Sequence, residues 1–95
     1  MAEVTVKLFG VLRIDTHLAN EQVQADRLSD IFALLNDRAE LIYKDRLAAK
    51  PGLRHPAPLS FSDAIVYING KRCPRKRQKL SEGDEIWLMS PASGG

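Results

Sequence analysis

The sequence closes on Gly94-Gly95, a few residues after a strand-like run, Glu85-Ile86-Trp87-Leu88-Met89. Read as the C-terminus of the protein, Gly95 offers the least hindered carboxylate a chain can present. Neither glycine carries a Cβ, so the segment can enter a narrow channel and adopt backbone angles closed to other residues. The expectation is that the carboxylate of Gly95 is the reacting group and that Gly94 gives it slender access. A diglycine by itself is also what an ordinary frayed end looks like, so its meaning depends on what precedes it.

No other residue set competes for chemistry. His17 and His55 lie far apart in sequence without ligand spacing, and Cys73 is the single cysteine. The pattern therefore predicts no metal site, no disulfide and no His/Cys or His/Asp constellation. A carboxylate is also a poor electrophile as it stands, because its leaving group would be oxide.

The residues before the tail suggest a surface that could hold a partner. Ile86 and Leu88 alternate with Trp87 and Met89, Val66 and Ile68 flank Tyr67, and Leu8 precedes Phe9. If the first set faces a core, period-two alternation puts Phe9, Tyr67, Trp87 and Met89 on the opposite face of a sheet. An exposed aromatic cluster of this kind marks a protein-binding surface. The bland alternative is that the segment Ala39 to Ser60 folds back and covers it. Pro91, with φ fixed near −65°, would stiffen the exit from the last strand.

Charge is distributed unevenly. The chain carries 14 Lys and Arg against 12 Asp and Glu, and Lys71, Arg72, Arg75, Lys76, Arg77 and Lys79 place six cations in nine residues. The remainder holds eight basic and twelve acidic side chains. Arg75, Lys76 and Arg77 are candidates for electrostatic docking of an acidic protein partner. A solvated hairpin whose charge protects a sheet edge is the plain alternative. Nucleic acid is disfavoured, because no aromatic residues are interleaved with the cations.

The elements that must position these groups follow from periodicity. Val4, Val6 and Leu8 define a first strand that Gly10 breaks, and a second, weaker strand is expected within Val11 to Ala25, around His17 to Val23. Leu28, Ile31, Phe32 and Leu35 share one helical face, with Ser29 and Asp30 in the first turn. The same face can continue through Ala39, Ile42 and Arg46, as one long helix or a second short one. Pro51-Gly52 ends it, and Pro56 and Pro58 make Leu53 to Leu59 an irregular connection. Ile65 to Ile68 is a strand, Asn69-Gly70 a type I′ hairpin turn, and Lys71 to Cys73 a short return strand. A turn at Ser81-Glu82-Gly83-Asp84 leads into the last strand, Glu85 to Met89.

This order predicts an α+β domain of the ubiquitin-like β-grasp type, a mixed sheet of four to five strands with one main helix packed across one face. Ninety-five residues make one domain, residues 1–95, with 90–95 as a flexible tail. The N-terminal residues lack the basic start and apolar run of a signal peptide, and one cysteine suits a reducing, cytoplasmic setting.

Leu80, Gly83-Asp84-Glu85, the apolar strand, Pro91 and Gly94-Gly95 together resemble the end of the small subunit of molybdopterin synthase (MoaD) and the related thiamine sulfur carrier (ThiS). Val4-Thr5-Val6-Lys7-Leu8-Phe9-Gly10 and Val66-Tyr67-Ile68-Asn69-Gly70 resemble the same family at matching places. The tail departs from the family's frequent Pro-Pro-β-branched pattern, reading Ser90-Pro91-Ala92-Ser93. The resemblance implies a sulfur carrier, itself non-catalytic, that binds no cofactor. A ubiquitin-activating-type enzyme would use ATP and magnesium to adenylate Gly95, and a persulfide would displace AMP to leave a thiocarboxylate. It further implies a large catalytic subunit as the sulfur acceptor, in the making of the molybdenum cofactor. Delivery to thiazole, to tRNA or to another sulfur metabolite stays open, as do a ubiquitin-like modifier and a non-reactive β-grasp binding module.

Overall fold

A computed structural model describes residues 1–90. The tail residues Pro91, Gly94 and Gly95 lie outside the described residues. β1 (Ala2–Leu8) pairs antiparallel with β2 (Asn20–Ala25), and parallel with β5 (Glu85–Met89). β5 pairs antiparallel with β3 (Ile65–Ile68), which pairs with the two-residue β4 (Lys71–Arg72). The sheet order is β2-β1-β5-β3-β4. The sheet is mixed and five-stranded, with a long helix after the first hairpin, as the β-grasp expectation requires.

Burial follows the alternation in the sequence. Val4, Val6 and Leu8 on β1, Val66 on β3, and Ile86 and Leu88 on β5 are at most 2% exposed. They pack in one core with Leu28, Ile31, Phe32, Leu35 and Ala39, the apolar stripe of α2 (Leu28–Ala49). That stripe covers about 100° of the helix surface, which is what one sheet face can cover. The carboxylate of Asp30 accepts the Arg27 N–H at 3.2 Å and closes the first turn of α2. The two possibilities left by the sequence resolve into one helix of 22 residues, about 33 Å long.

Two expectations need correction. The second strand, expected around His17 to Val23, is shifted to Asn20–Ala25 (β2), and the residues before it form a helix, α1 (Gly10–Thr16), that was not expected. Leu12 and Thr16 stand four residues apart and face inward. Thr16 is 1% exposed, and its hydroxyl donates to the Leu12 carbonyl at 2.7 Å. Gly10 at φ 58° admits the sharp entry, and His17 at φ 65° closes the helix. Within β2, Asn20 and Glu21 pair with Lys7 and Val6. The return strand is likewise shorter than Lys71 to Cys73. Cys73 falls outside β4, although its N–H still donates to the Val66 carbonyl at 2.8 Å.

The connection after α2 lies on the helix side of the sheet. Asn36 clamps it twice, its side chain donating to the Leu59 carbonyl (2.9 Å) and accepting the Leu59 N–H (2.7 Å). Leu59 is buried in the core, and Phe61 meets Phe32 edge-on at 6.1 Å. The segment Ala39 to Ser60 thus seals the helix-side core, and its contacts leave the other sheet face alone.

Candidate functional site

The uncovered sheet face is built by register. Lys7 pairs with Trp87, Trp87 with Tyr67, and Tyr67 with Arg72, so these four side chains form one lateral row across β1, β5, β3 and β4. Directly paired residues share a face. Met89 and Ile65 form the neighbouring pair on the same face, and both are half-buried. Phe9 extends β1 by one residue, its N–H donating to the Leu88 carbonyl at 3.1 Å.

The aromatic residues meet there. Phe9 lies edge-on to Trp87 at 5.8 Å, and Tyr67 lies 6.4 Å from Trp87 at a tilt of 46°. Trp87 and Tyr67 are half-buried, and Phe9 is 40% exposed. Trp87 is therefore the centre of the cluster, supported from both sides with part of its ring left to solvent. The four aromatic and apolar residues named from the sequence all stand on this face. They lie toward the end of the sheet where the chain leaves β5, since Leu8 is paired with Leu88 and Met89 is the last strand residue.

Periodicity alone did not single out the charged members of the face. The Trp87 indole N–H donates to Glu85 Oε1 at 2.6 Å, and Lys7 Nζ lies 3.5 Å from the same oxygen. The indole hydrogen bond holds the Glu85 carboxyl below its ordinary range, with the nearby Lys7 charge adding to the effect and partial desolvation opposing it. Lys7 and Glu85 share the strand parity of Phe9 and Trp87, so parity could have found them. That Lys7 lies beside Trp87 needed the parallel β1–β5 register, which joins strands far apart in sequence.

The hairpin beside this face is fixed by Asn69. With φ 52° at Asn69 and 86° at Gly70, both central turn residues take the positive φ expected of a type I′ turn. Asn69 Nδ2 donates to Asp84 Oδ1 at 2.8 Å, while its Oδ1 accepts the Glu85 N–H at 2.9 Å. The turn after β3 is thereby tied to the start of β5. Arg75, Lys76 and Arg77 follow β4 in an exposed loop, beside rather than within the aromatic cluster.

Among the described residues there is no group of three or more potential metal ligands, and no helix is long and apolar enough to cross a membrane. Cys73 is a buried free thiol, 8% exposed, whose Sγ approaches the Arg75 carbonyl at 3.6 Å.

The family model that matches is that of the ThiS family, over residues 6–95. No curated protein matches the chain. Among solved structures, small archaeal modifier protein 1 from Methanosarcina acetivorans is 26% identical, with a TM-score of 0.68, covering 100% of this chain and 98% of that one. A putative molybdopterin converting factor subunit 1 from Pyrococcus furiosus is 18% identical, with a TM-score of 0.63 and coverage of 97% and 100%. A complex of subunits 1 and 2 of the molybdopterin-converting factor from Helicobacter pylori matches at 22% identity and a TM-score of 0.54, covering 98% of this chain and 99% of that one.

Proposed function

This chain belongs to the ThiS family of ubiquitin-like sulfur carriers, and from that premise we propose that Gly95 carries sulfur as a C-terminal thiocarboxylate for molybdopterin synthesis. The observation that supports this most is that the family match runs through Gly95 and so includes the diglycine. In the proposed cycle an oxygen of the Gly95 carboxylate attacks the α-phosphorus of ATP in an activating enzyme, with magnesium present, and pyrophosphate leaves. A persulfide sulfur then attacks the acyl carbon and AMP leaves. A second thiol breaks the resulting sulfur–sulfur bond, forming a disulfide with the donor and freeing the thiocarboxylate.

The folded domain serves as a handle in this cycle. Phe9, Tyr67, Trp87 and Met89 dock the partner, and Pro91 stiffens the exit toward its active site. A half-exposed aromatic centre flanked by Lys7 and Arg72 suits such docking, because interface anchors are enriched in Trp, Tyr and Arg. Its place near the end of β5 keeps the docking surface close to the start of the tail. The partners are a ubiquitin-activating-type enzyme and then the large catalytic subunit of a molybdopterin synthase. The near-complete mutual coverage with the molybdopterin converting subunits supports that pathway at the level of fold.

A second reading is favoured by one observation, the 26% identity to a small archaeal modifier protein. The same adenylate would be taken by a lysine amine, giving an isopeptide bond. Co-expression with an activating enzyme and sulfur donor distinguishes the two. Thiocarboxylate formation raises the intact mass by about 16 Da, sulfur for oxygen, and deletion of Gly95 abolishes it. Conjugates on a denaturing gel without that mass change support the modifier reading, and a deletion variant that is still modified overturns both.

A further inference from the structure

A groove of about 370 Å³ lies between the β3–β4 turn and the loop that returns to β5. Four of the six clustered cations line it: Lys71, Arg72, Arg75 and Lys79. All six are exposed, and among the described residues none is paired with a carboxylate. The one acid in the groove wall, Asp84, already accepts the Asn69 amide at 2.8 Å and the Ser81 N–H at 2.8 Å. With four cations against that one carboxylate, the groove presents a net positive charge.

The loop that carries these cations is held in place. Gln78 N–H donates to the Arg75 carbonyl at 3.2 Å, and the Arg27 guanidinium donates to the Arg77 carbonyl at 3.1 Å. The Leu28 N–H donates to the Gln78 carbonyl, and the Leu80 N–H to the Asp26 carbonyl, each at 2.8 Å. Cations on a pinned backbone lose less freedom on binding than cations on a loose loop. A solvated edge whose only task is to repel other sheets needs no such support.

We propose that this groove binds an acidic, extended segment of a partner protein. Lys76 and Arg77 carry the charge beyond the groove itself, which fits an extended polyanion better than a small anion. No aromatic residue lines the groove, so the bases of a nucleic acid would have nothing to stack on. Ile68, Cys73 and Pro74 give it instead an apolar portion suited to an aliphatic side chain among the acids. Because Arg72 also ends the Lys7–Trp87–Tyr67 row, a segment in the groove would lie next to the outer sheet face.

The test uses the full chain and needs no reaction at Gly95, so its result is separate from that of the sulfur-carrier reading. The probe is a fluorescent peptide of about ten Asp and Glu residues with one Leu, compared with its Asn/Gln counterpart and a single-stranded oligonucleotide of similar charge. Binding should weaken at least about fivefold between 50 and 200 mM salt. Arg75→Gln with Lys79→Gln should raise Kd roughly tenfold. Lys44→Gln with Lys50→Gln, on and just after α2, should leave it unchanged. Amide shifts of the unmodified chain on adding peptide should centre on residues 68–84, a readout that does not depend on how the variants fold. Tighter binding of the oligonucleotide, absence of peptide binding, or equal loss in both double variants overturns the proposal.

Discussion

Trp87 and Glu85, two residues apart on the outer face of β5, are joined by an indole N–H to carboxylate bond of 2.6 Å. The bond ties the centre of the aromatic cluster to a titratable group. It stabilises the ionised carboxylate, so the Glu85 pKa lies below its ordinary value of 4.5. For a depressed carboxylate the sign is fixed. The contribution to stability is fully present above the ordinary value and is lost as pH falls through the lowered one.

Trp87 is the only tryptophan in the chain, so its fluorescence reports this bond. Emission should stay constant from neutral pH to the ordinary carboxylate range and then change with a midpoint below 4.5. Glu85→Gln should remove that transition. A midpoint at or above the ordinary value in the wild-type chain would contradict the assignment.

The two faces of β5 should separate stability from binding. Ile86 is fully buried, and Ile86→Ala should cost about 2–5 kcal/mol by loss of transfer energy and creation of a cavity. Trp87→Ala, on the half-buried face, should cost only about 1–2 kcal/mol. It should nevertheless weaken activating-enzyme or acceptor binding by at least about 2 kcal/mol, or roughly thirtyfold. Urea melts paired with calorimetric titration against either partner measure both. A Trp87 variant that binds normally removes the docking role of this face.

The strands around the site were legible because each obeys one rule. Val4, Val6 and Leu8 alternate cleanly, Asn69-Gly70 signals a type I′ turn, and Leu28 to Leu35 repeats at helical spacing. α1 was hidden because two of its exposed residues are apolar, Val11 and Ile14 at 52% and 71% exposed, while the inward Thr16 is polar. Hydrophobicity there points away from the core, and only the Leu12–Thr16 spacing carries the helical signal. At the site, alternation identified the face of Phe9, Tyr67, Trp87 and Met89. It could not place Lys7 beside Trp87, since that contact depends on the pairing of β1 with a strand nearly eighty residues later in the chain. The groove between Lys71 and Lys79 likewise arises from a loop pinned by Arg27 and Asp26, which lie far from it in sequence.

Asn69 should be worth more than its surface position suggests. Asn69→Ala removes two side-chain hydrogen bonds, to Asp84 and to the Glu85 N–H, and places alanine at φ 52°. The combined loss should be about 2–3 kcal/mol. Asn69→Gly keeps the backbone geometry accessible and should recover part of it. Equal melting temperatures for Asn69→Ala and the wild type would exclude this role.

The clamp between Asn36 and Leu59 makes a prediction about the long connection after α2. Asn36→Ala leaves the Leu59 N–H and carbonyl without their side-chain partner in a partly buried setting, a loss of about 1–3 kcal/mol. Release of the clamp should loosen the anchoring of Leu53 to Leu59 while β1, β3 and β5, to whose pairing its hydrogen bonds contribute nothing, stay paired. Limited proteolysis should therefore cut faster within residues 50–60. Trp87 fluorescence below the melting transition should be unchanged. If the outer face instead depended on this segment, Trp87 emission would shift along with protease sensitivity. Separate responses are expected because every contact that fixes Leu59 lies on the helix side of the sheet.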